Sequence, residues 1–202
     1  MIEFAQRLIE SIGIFGAGLF IAIESVVIPL PSELVLLLSG FNVSVGDFAF
    51  IPVLIATTTG SLIGALLLYL TGFALTRARI DQLVAKFGKY LGIKGADVDR
   101  AFNWFERYGS FVVFFGRLVP LVRSLVSIPA GLAEMNIVRF IALTVAGSGI
   151  WNAIWIYIGV QLGQQWQDAE SWAKYLDYAV YGAILVLLIL LIRRIIKSRR
   201  AA

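Results

Sequence analysis

The feature that most limits how this chain can fold is a pair of breaks in otherwise apolar sequence. Residues 11–23 run uncharged up to Glu24, and residues 34–46 lie between Glu33 and Asp47. Between them stands Glu24-Ser-Val-Val-Ile-Pro29-Leu-Pro31-Ser-Glu33. The second half repeats the arrangement. Residues 108–116 end at Arg117, residues 124–133 lie between Arg123 and Glu134, and Arg117-Leu-Val-Pro120-Leu-Val-Arg123 separates them. Apolar stretches of about 10–14 residues are too short to cross a bilayer and suit re-entrant or interfacial segments. Two longer uncharged runs, 53–76 and 140–163, are long enough to cross with some tilt. A third, 178–192, is shorter and relies on Asp177 and Arg193 snorkelling at its ends, with Tyr175, Tyr178 and Tyr181 as an aromatic belt.

Composition points the same way. Of 202 residues, 59% are hydrophobic and only 15% charged, with a mean hydropathy of +0.87. A soluble domain carries about 25% charged residues, so this chain has too little polar surface to cover itself in water. There is no histidine, which excludes Ser-His-Asp hydrolases, His-based phosphatases and HExxH zinc sites. There is no cysteine, hence no disulfide, thiolate nucleophile or iron–sulfur cluster. No Gly-rich phosphate loop, EF-hand or zinc spacing occurs, and no cofactor or metal is expected. The net charge of +4 sits in blocks beside apolar segments, which suits a membrane surface and not nucleic acid. The N-terminus has no basic region and no small-residue cleavage site before Glu24, so no signal peptide is expected.

The two halves echo each other. Glu10-Ser-Ile-Gly13-Ile-Phe15 resembles Glu106-Arg-Tyr-Gly109-Ser-Phe111, and at that offset the two breaks overlap. Discontinuous segments at matching places in two halves point to a transporter's midplane site. Loop charges suggest a topology. Residues 77–107 carry seven Lys/Arg and the tail from Arg193 to Arg200 carries five, so both should be cytoplasmic. The segment 164–177 then faces out, and the two breaks enter from opposite sides. The expected fold is therefore an all-α integral membrane protein, a single domain over 1–202. It has two opposed re-entrant helical hairpins in an inverted repeat, about three spanning helices and interfacial amphipathic helices. Its parts are a first hairpin and span over 11–76, an amphipathic connection over 77–107, a second hairpin and span over 108–163, and a C-terminal helix with basic tail over 175–202.

Glu24, Glu33, Arg117 and Arg123 sit where charge is expensive. Each costs roughly 2.5–3.5 kcal/mol at a helix centre, so four unpaired charges would cost on the order of 10 kcal/mol, comparable to the stability of a domain. They must pair or face water. If the hairpin tips meet near the midplane, two carboxylates face two guanidiniums. A structural salt bridge that pins the hairpins is one reading. The other uses what each group can do. The planar fork of a guanidinium matches phosphate oxygens, so Arg117 and Arg123 are the candidates for binding an anionic headgroup. A carboxylate withdrawn from water accepts a proton more readily, so Glu24 and Glu33 are the candidates for proton coupling. Pro29, Pro31, Pro120 and Pro129 are expected to keep the tips non-helical.

Weaker features have plainer readings. Gly60-x3-Gly64 and Gly159-x3-Gly163 suit close helix packing. The mixed basic and apolar stretch 83–105 suits interfacial helices on anionic lipid. Asp97 and Asp99 read as cap or surface residues, and Trp151, Asn152 and Trp155, on one spanning helix, as packing, with the lining of a pathway as the other reading. Ser32, Ser124 and Ser127 have no histidine to activate them as nucleophiles.

Glu24-x4-Pro29-x-Pro31-Ser32-Glu33, followed by Phe115-Gly116-Arg117-x2-Pro120-x2-Arg123, resembles the DedA family of bacterial membrane proteins. Pro129-Ala130-Gly131-x3-Met135-x3-Arg139-Phe140 and Gly149-x-Trp151 extend the resemblance to roughly residues 10–163. That family shares the VTT, or SNARE-associated, domain with lipid scramblases of the endoplasmic reticulum. The resemblance implies opposed re-entrant hairpins and movement of lipids between leaflets of the bacterial cytoplasmic membrane. Undecaprenyl phosphate recycling and dependence on the proton-motive force are implied with it. The family's essential acids fall on Glu24 and Glu33 and its essential arginines on Arg117 and Arg123. One position departs: many members carry an acid after Gly-x3-Gly, where this chain has Ala65, with Tyr69 retained.

The expected function is translocation of a lipid phosphate between leaflets, coupled to protons, by a non-enzyme with a cytoplasmic C-terminus. Its partners are membrane lipids and an anionic lipid phosphate, with self-association as a homo-oligomer left open. An uncoupled phospholipid scramblase, a lipid-phosphate enzyme and a structural membrane-homeostasis factor are the alternatives.

Overall fold

The computed structural model describes residues 12–27, 32–75, 79–82, 84, 86, 95–120, 122–163 and 182. Pro29, Pro31, the third apolar run 178–192, the basic tail and the outward loop 164–177 therefore lie outside the described residues, Gly182 apart. Among the described residues the ordered secondary structure is helical. In chain order the helices are α1 (Ile14–Val27), α2 (Ser32–Ser44), α3 (Phe50–Ala74), α4 (Gly95–Gly116), α5 (Val122–Leu125), α6 (Ser127–Leu132) and α7 (Ile137–Leu162).

Only α3 and α7 are long and apolar enough to cross a membrane among the described residues, and they coincide with the runs 53–76 and 140–163. Both tolerate polar residues by local bonding. Thr57 Oγ1 donates to the Val53 carbonyl at 2.9 Å and Ser61 Oγ to the Thr57 carbonyl at 3.1 Å, which satisfies each hydroxyl within its own helix. The α7 N-terminus is capped by the Asn136 side chain, which accepts from Arg139 N–H at 3.1 Å. Its C-terminus closes on Gly163 at φ +50°, a conformation glycine adopts without steric cost.

Several expected boundaries move. Glu24 does not stop the first short run: α1 continues through it to Val27, with Glu24 on a buried face. Glu33 likewise lies in the first turn of α2, where the helix dipole favours a carboxylate. Residues 108–116 are the C-terminal half of α4, which begins within the stretch 77–107, at Gly95. The stretch 124–133 breaks into α5 and α6. Pro129 was expected to keep its tip non-helical; it sits inside α6. That position is in the first turn, where a missing N–H and fixed φ cost little. Pro120 does lie in the turn between α4 and α5.

Packing is exchanged between the halves. α1 packs chiefly on α3, and α2 on α7; α6 returns to α3, and α4 packs on α7. Asn152 meets Ser61 while Phe140 meets Tyr69, so α3 and α7 run antiparallel. Glycines permit these approaches. A Cβ on Gly60 would collide with the Gly18 carbonyl oxygen, and one on Gly159 with the Leu37 carbonyl oxygen. Gly64 also packs closely, on Ala22 and Ser25, whereas Gly163 serves as the helix cap.

Polarity is distributed as a bilayer, and not water, would select. Phe15, Phe111, Ile55 and Val138 are exposed, while Glu24, Glu33, Arg117, Arg123, Thr144 and Asn152 are buried. In water that arrangement would expose large apolar patches and desolvate charge at once. In lipid, the apolar exterior meets hydrocarbon and the polar groups are gathered inside.

Candidate functional site

The four charges expected to converge are all buried: Glu24, Glu33, Arg117 and Arg123 are each less than a tenth exposed. Four elements supply them. Glu24 comes from the last turn of α1, Glu33 from the first turn of α2, Arg117 from the turn after α4, and Arg123 from α5. Gly64, near the middle of α3, packs on Ser25 beside Glu24. Gly147, near the middle of α7, packs on the Arg117 side chain. These two contacts put the charges close to mid-length of both spanning helices.

An ion pair joins the halves. Arg123 Nη2 donates to Glu24 Oε1 at 2.9 Å, and to the Ser32 hydroxyl as well. A buried pair of this kind is sustained only when its remaining polar atoms are also satisfied, and Glu24 Oε2 has no hydrogen-bond partner. Glu33 lies near enough for its charge to act on Glu24.

Arg117 is held differently. Its Nη2 donates to Ser127 Oγ at 2.8 Å, and its guanidinium lies over the Phe140 ring at 5.6 Å from the centroid. A cation over an aromatic face gains electrostatic attraction without being neutralised. Arg117 Nε, also buried, has no partner. Of the expected picture of two carboxylates facing two guanidiniums, the Glu24–Arg123 pair is present, and Arg117 meets a hydroxyl and a ring. The ring itself is fixed from below: Tyr69 packs on Phe140 at 4.7 Å and its hydroxyl donates to the Met135 carbonyl at 2.5 Å.

The site can therefore offer an anion one guanidinium with a free N–H, and a second already shared with a carboxylate. Ser32 and Ser127, set aside in the sequence as serines without a base, are the hydroxyl partners of the two arginines. Their signal was position, since each lies in or beside a break next to a charged residue. No group of three or more acidic residues suited to a metal occurs among the described residues.

Comparison with known proteins bears on this arrangement. The VTT domain matches residues 29–161, more than half of the chain. Undecaprenyl phosphate transporter A of Bacillus subtilis is 39% identical over 181 residues, covering 90% of this chain and 88% of its own. The protein of the same name from Staphylococcus aureus is 31% identical over 198 residues, covering 96% and 98%. A Lactococcus lactis protein named alkaline phosphatase-like is 38% identical over 198 residues, covering 95% and 91%. No solved structure matches the chain.

Proposed function

The chain belongs to the VTT domain family, and from that premise we propose that it moves a lipid phosphate, undecaprenyl phosphate, between the leaflets of a bacterial cytoplasmic membrane. The observation that carries this reading is the pair of buried arginines at mid-length of the spanning helices, one with an unpartnered N–H. A guanidinium is always charged and its planar fork suits phosphate oxygens. Arg117 and Arg123 bind the headgroup while the prenyl tail stays in the bilayer.

Proton coupling follows from the ion pair. While Glu24 is ionised it occupies Arg123. A proton on Glu24 removes the charge that holds the guanidinium and frees it for phosphate. Glu33, on the neighbouring helix end, exchanges protons with the same pool. Two opposed re-entrant hairpins related by an inverted repeat serve this cycle, entering from opposite sides of the membrane. The exchange of packing partners between the halves and the antiparallel α3 and α7 support that architecture.

The name carried by the Lactococcus relative raises a second reading, hydrolysis of the lipid phosphate. One experiment separates the two: proteoliposomes carrying labelled undecaprenyl phosphate or a labelled phospholipid, with wild type, Arg123→Ala and Glu33→Gln, with and without an inward pH gradient. Gradient-dependent exchange of the polyprenyl lipid, lost in both variants and without phosphate release, is expected. Exchange of every lipid regardless of gradient would make the chain a scramblase, and released phosphate would make it an enzyme.

A further inference from the structure

The exposed face of α4 differs from the other faces turned to lipid. Trp104, Tyr108, Phe111 and Phe115 follow one another at spacings of four, three and four, which puts them on one side of the helix, and all four are exposed. Their rings pair, Trp104 with Tyr108 at 5.8 Å and Phe111 with Phe115 at 4.3 Å between centroids. The exposed faces of α3 and α7 are chiefly aliphatic, with Ile55, Ile63, Leu67 and Ile154 among them. A groove of about 450 Å³ follows the ladder of rings and ends at Gly116 and Val119, on either side of Arg117 in the chain. That volume falls within the range of about 300–1,000 Å³ usual for small-molecule sites.

Charge sets the depth of the ladder. Asp97, Asp99, Arg100, Glu106 and Arg107 lie in the first part of α4, and residues 108–116 carry no charge. The boundary between water and hydrocarbon therefore falls near Arg107, with Trp104 and Tyr108 at the level that amphipathic rings favour. Arg117, ten residues on, lies close to mid-length of the spanning helices. Ten helical residues rise about 15 Å, half of the roughly 30 Å hydrocarbon core, so the ladder measures one leaflet. Arg107 stands at its polar end, its guanidinium over the Tyr108 ring at 5.5 Å from the centroid. A cation held on a ring face keeps its charge. Asp99 and Glu106 fall on the side of the helix opposite the ladder by their spacing, and Asp97 is ten positions before Arg107.

We infer that this ladder is a docking track for a polyprenyl phosphate. Arg107 holds the phosphate at the membrane surface, and the four rings hold the first stretch of the chain through one leaflet. The inference rests on the proposed lipid-phosphate transport and adds the place where the substrate waits before the buried site. The shape of the track chooses the occupant. A single file of rings fits one chain and not the paired chains of a glycerophospholipid, and each ring face offers a large, rigid apolar surface. A phosphate joined directly to its chain reaches Arg107 with no glycerol between them, and the guanidinium fork suits its oxygens. Arginines stand at both ends of the track, so the head can pass from Arg107 to Arg117 while the chain slides along the same helix.

The test uses proteoliposomes of the full chain with a diazirine-bearing polyprenyl phosphate in excess phosphatidylglycerol, irradiated and then mapped by mass spectrometry. Adducts are expected within residues 104–119, reduced at least fivefold by unlabelled undecaprenyl phosphate and less than twofold by further phosphatidylglycerol. Arg107→Gln, and separately Phe111→Leu/Phe115→Leu, should each raise the undecaprenyl phosphate needed for half-maximal exchange at least fivefold, with the maximal rate within twofold. Phe15→Leu, which removes an exposed ring from α1, should change neither. Adducts spread equally over α1 and α3, or competed as well by phosphatidylglycerol, would mean that the ladder meets bulk lipid and would overturn the inference. So would protein dimers in place of lipid adducts when a photoreactive phenylalanine analogue replaces Phe111, since a second copy would then cover the rings. Wild type that exchanges undecaprenyl phosphate but is labelled elsewhere sinks the docking track alone. Specific labelling of the ladder with no exchange retires the transport reading and leaves the docking track standing.

Discussion

Arg123 and Glu24, 99 positions apart in the chain, meet at 2.9 Å in the protein interior. The contact ties the end of α1 to the short α5, one from each half, and it leaves Glu24 Oε2 without a partner. Such a pair is an expensive way to hold helices together. Well-packed apolar residues do the same job at equal or lower cost.

That comparison yields a stability prediction. Arg123→Ala leaves an uncompensated buried carboxylate and should destabilise the protein by about 3–5 kcal/mol. The double variant Glu24→Leu/Arg123→Met removes both charges and should return to within about 1–2 kcal/mol of wild type. Denaturant unfolding in detergent measures both. The double variant should nevertheless transport nothing. Normal transport would mean the pair only holds the fold.

Reversing the pair is a sharper form of the same question. Glu24→Arg/Arg123→Glu keeps the attraction but moves the guanidinium from α5 to α1, away from Arg117's side of the site. It should fold, as judged by monodispersity in detergent, and lose lipid exchange. Retained exchange would support a purely structural role for the charges.

Much of this was legible in the sequence, and for definite reasons. A charge or a proline in an apolar run is a strong signal, so the four site residues and the two spans stood out from their surroundings. The extents of the short helices did not. Glu24 reads as a stop in one dimension, yet α1 carries it through because its carboxylate meets Arg123 from the other half. The partners of Ser32, Ser127 and Asn152 were not legible for the opposite reason: neutral polar residues are common in membrane helices, and only long-range pairing gives them meaning.

Close packing at glycine can be tested in isolation. Gly60→Ala places a methyl group against the Gly18 carbonyl, backbone that cannot swing aside. It should cost about 1–3 kcal/mol or prevent folding. Gly95→Ala, with nothing within 4 Å of the added carbon, should change stability by less than about 0.5 kcal/mol. Equal thermal midpoints for the two variants would contradict the α1–α3 contact.

Tyr69→Phe keeps the ring under Phe140 and removes only the hydroxyl that donates to Met135. The part-buried carbonyl loses its partner, a loss of about 0.5–1.5 kcal/mol. Unfolding measurements on this variant check it, and no change would mean the carbonyl finds another donor.

The most direct measurement is the pH-gradient dependence of undecaprenyl phosphate exchange in proteoliposomes bearing Glu24→Gln. Glutamine mimics the protonated carboxyl and leaves Arg123 unopposed by charge. The account predicts exchange that persists without a gradient and no longer responds to one, while wild type responds. A Glu24→Gln protein whose exchange still follows the gradient as wild type does would contradict the central claim that a proton on Glu24 releases Arg123 for phosphate.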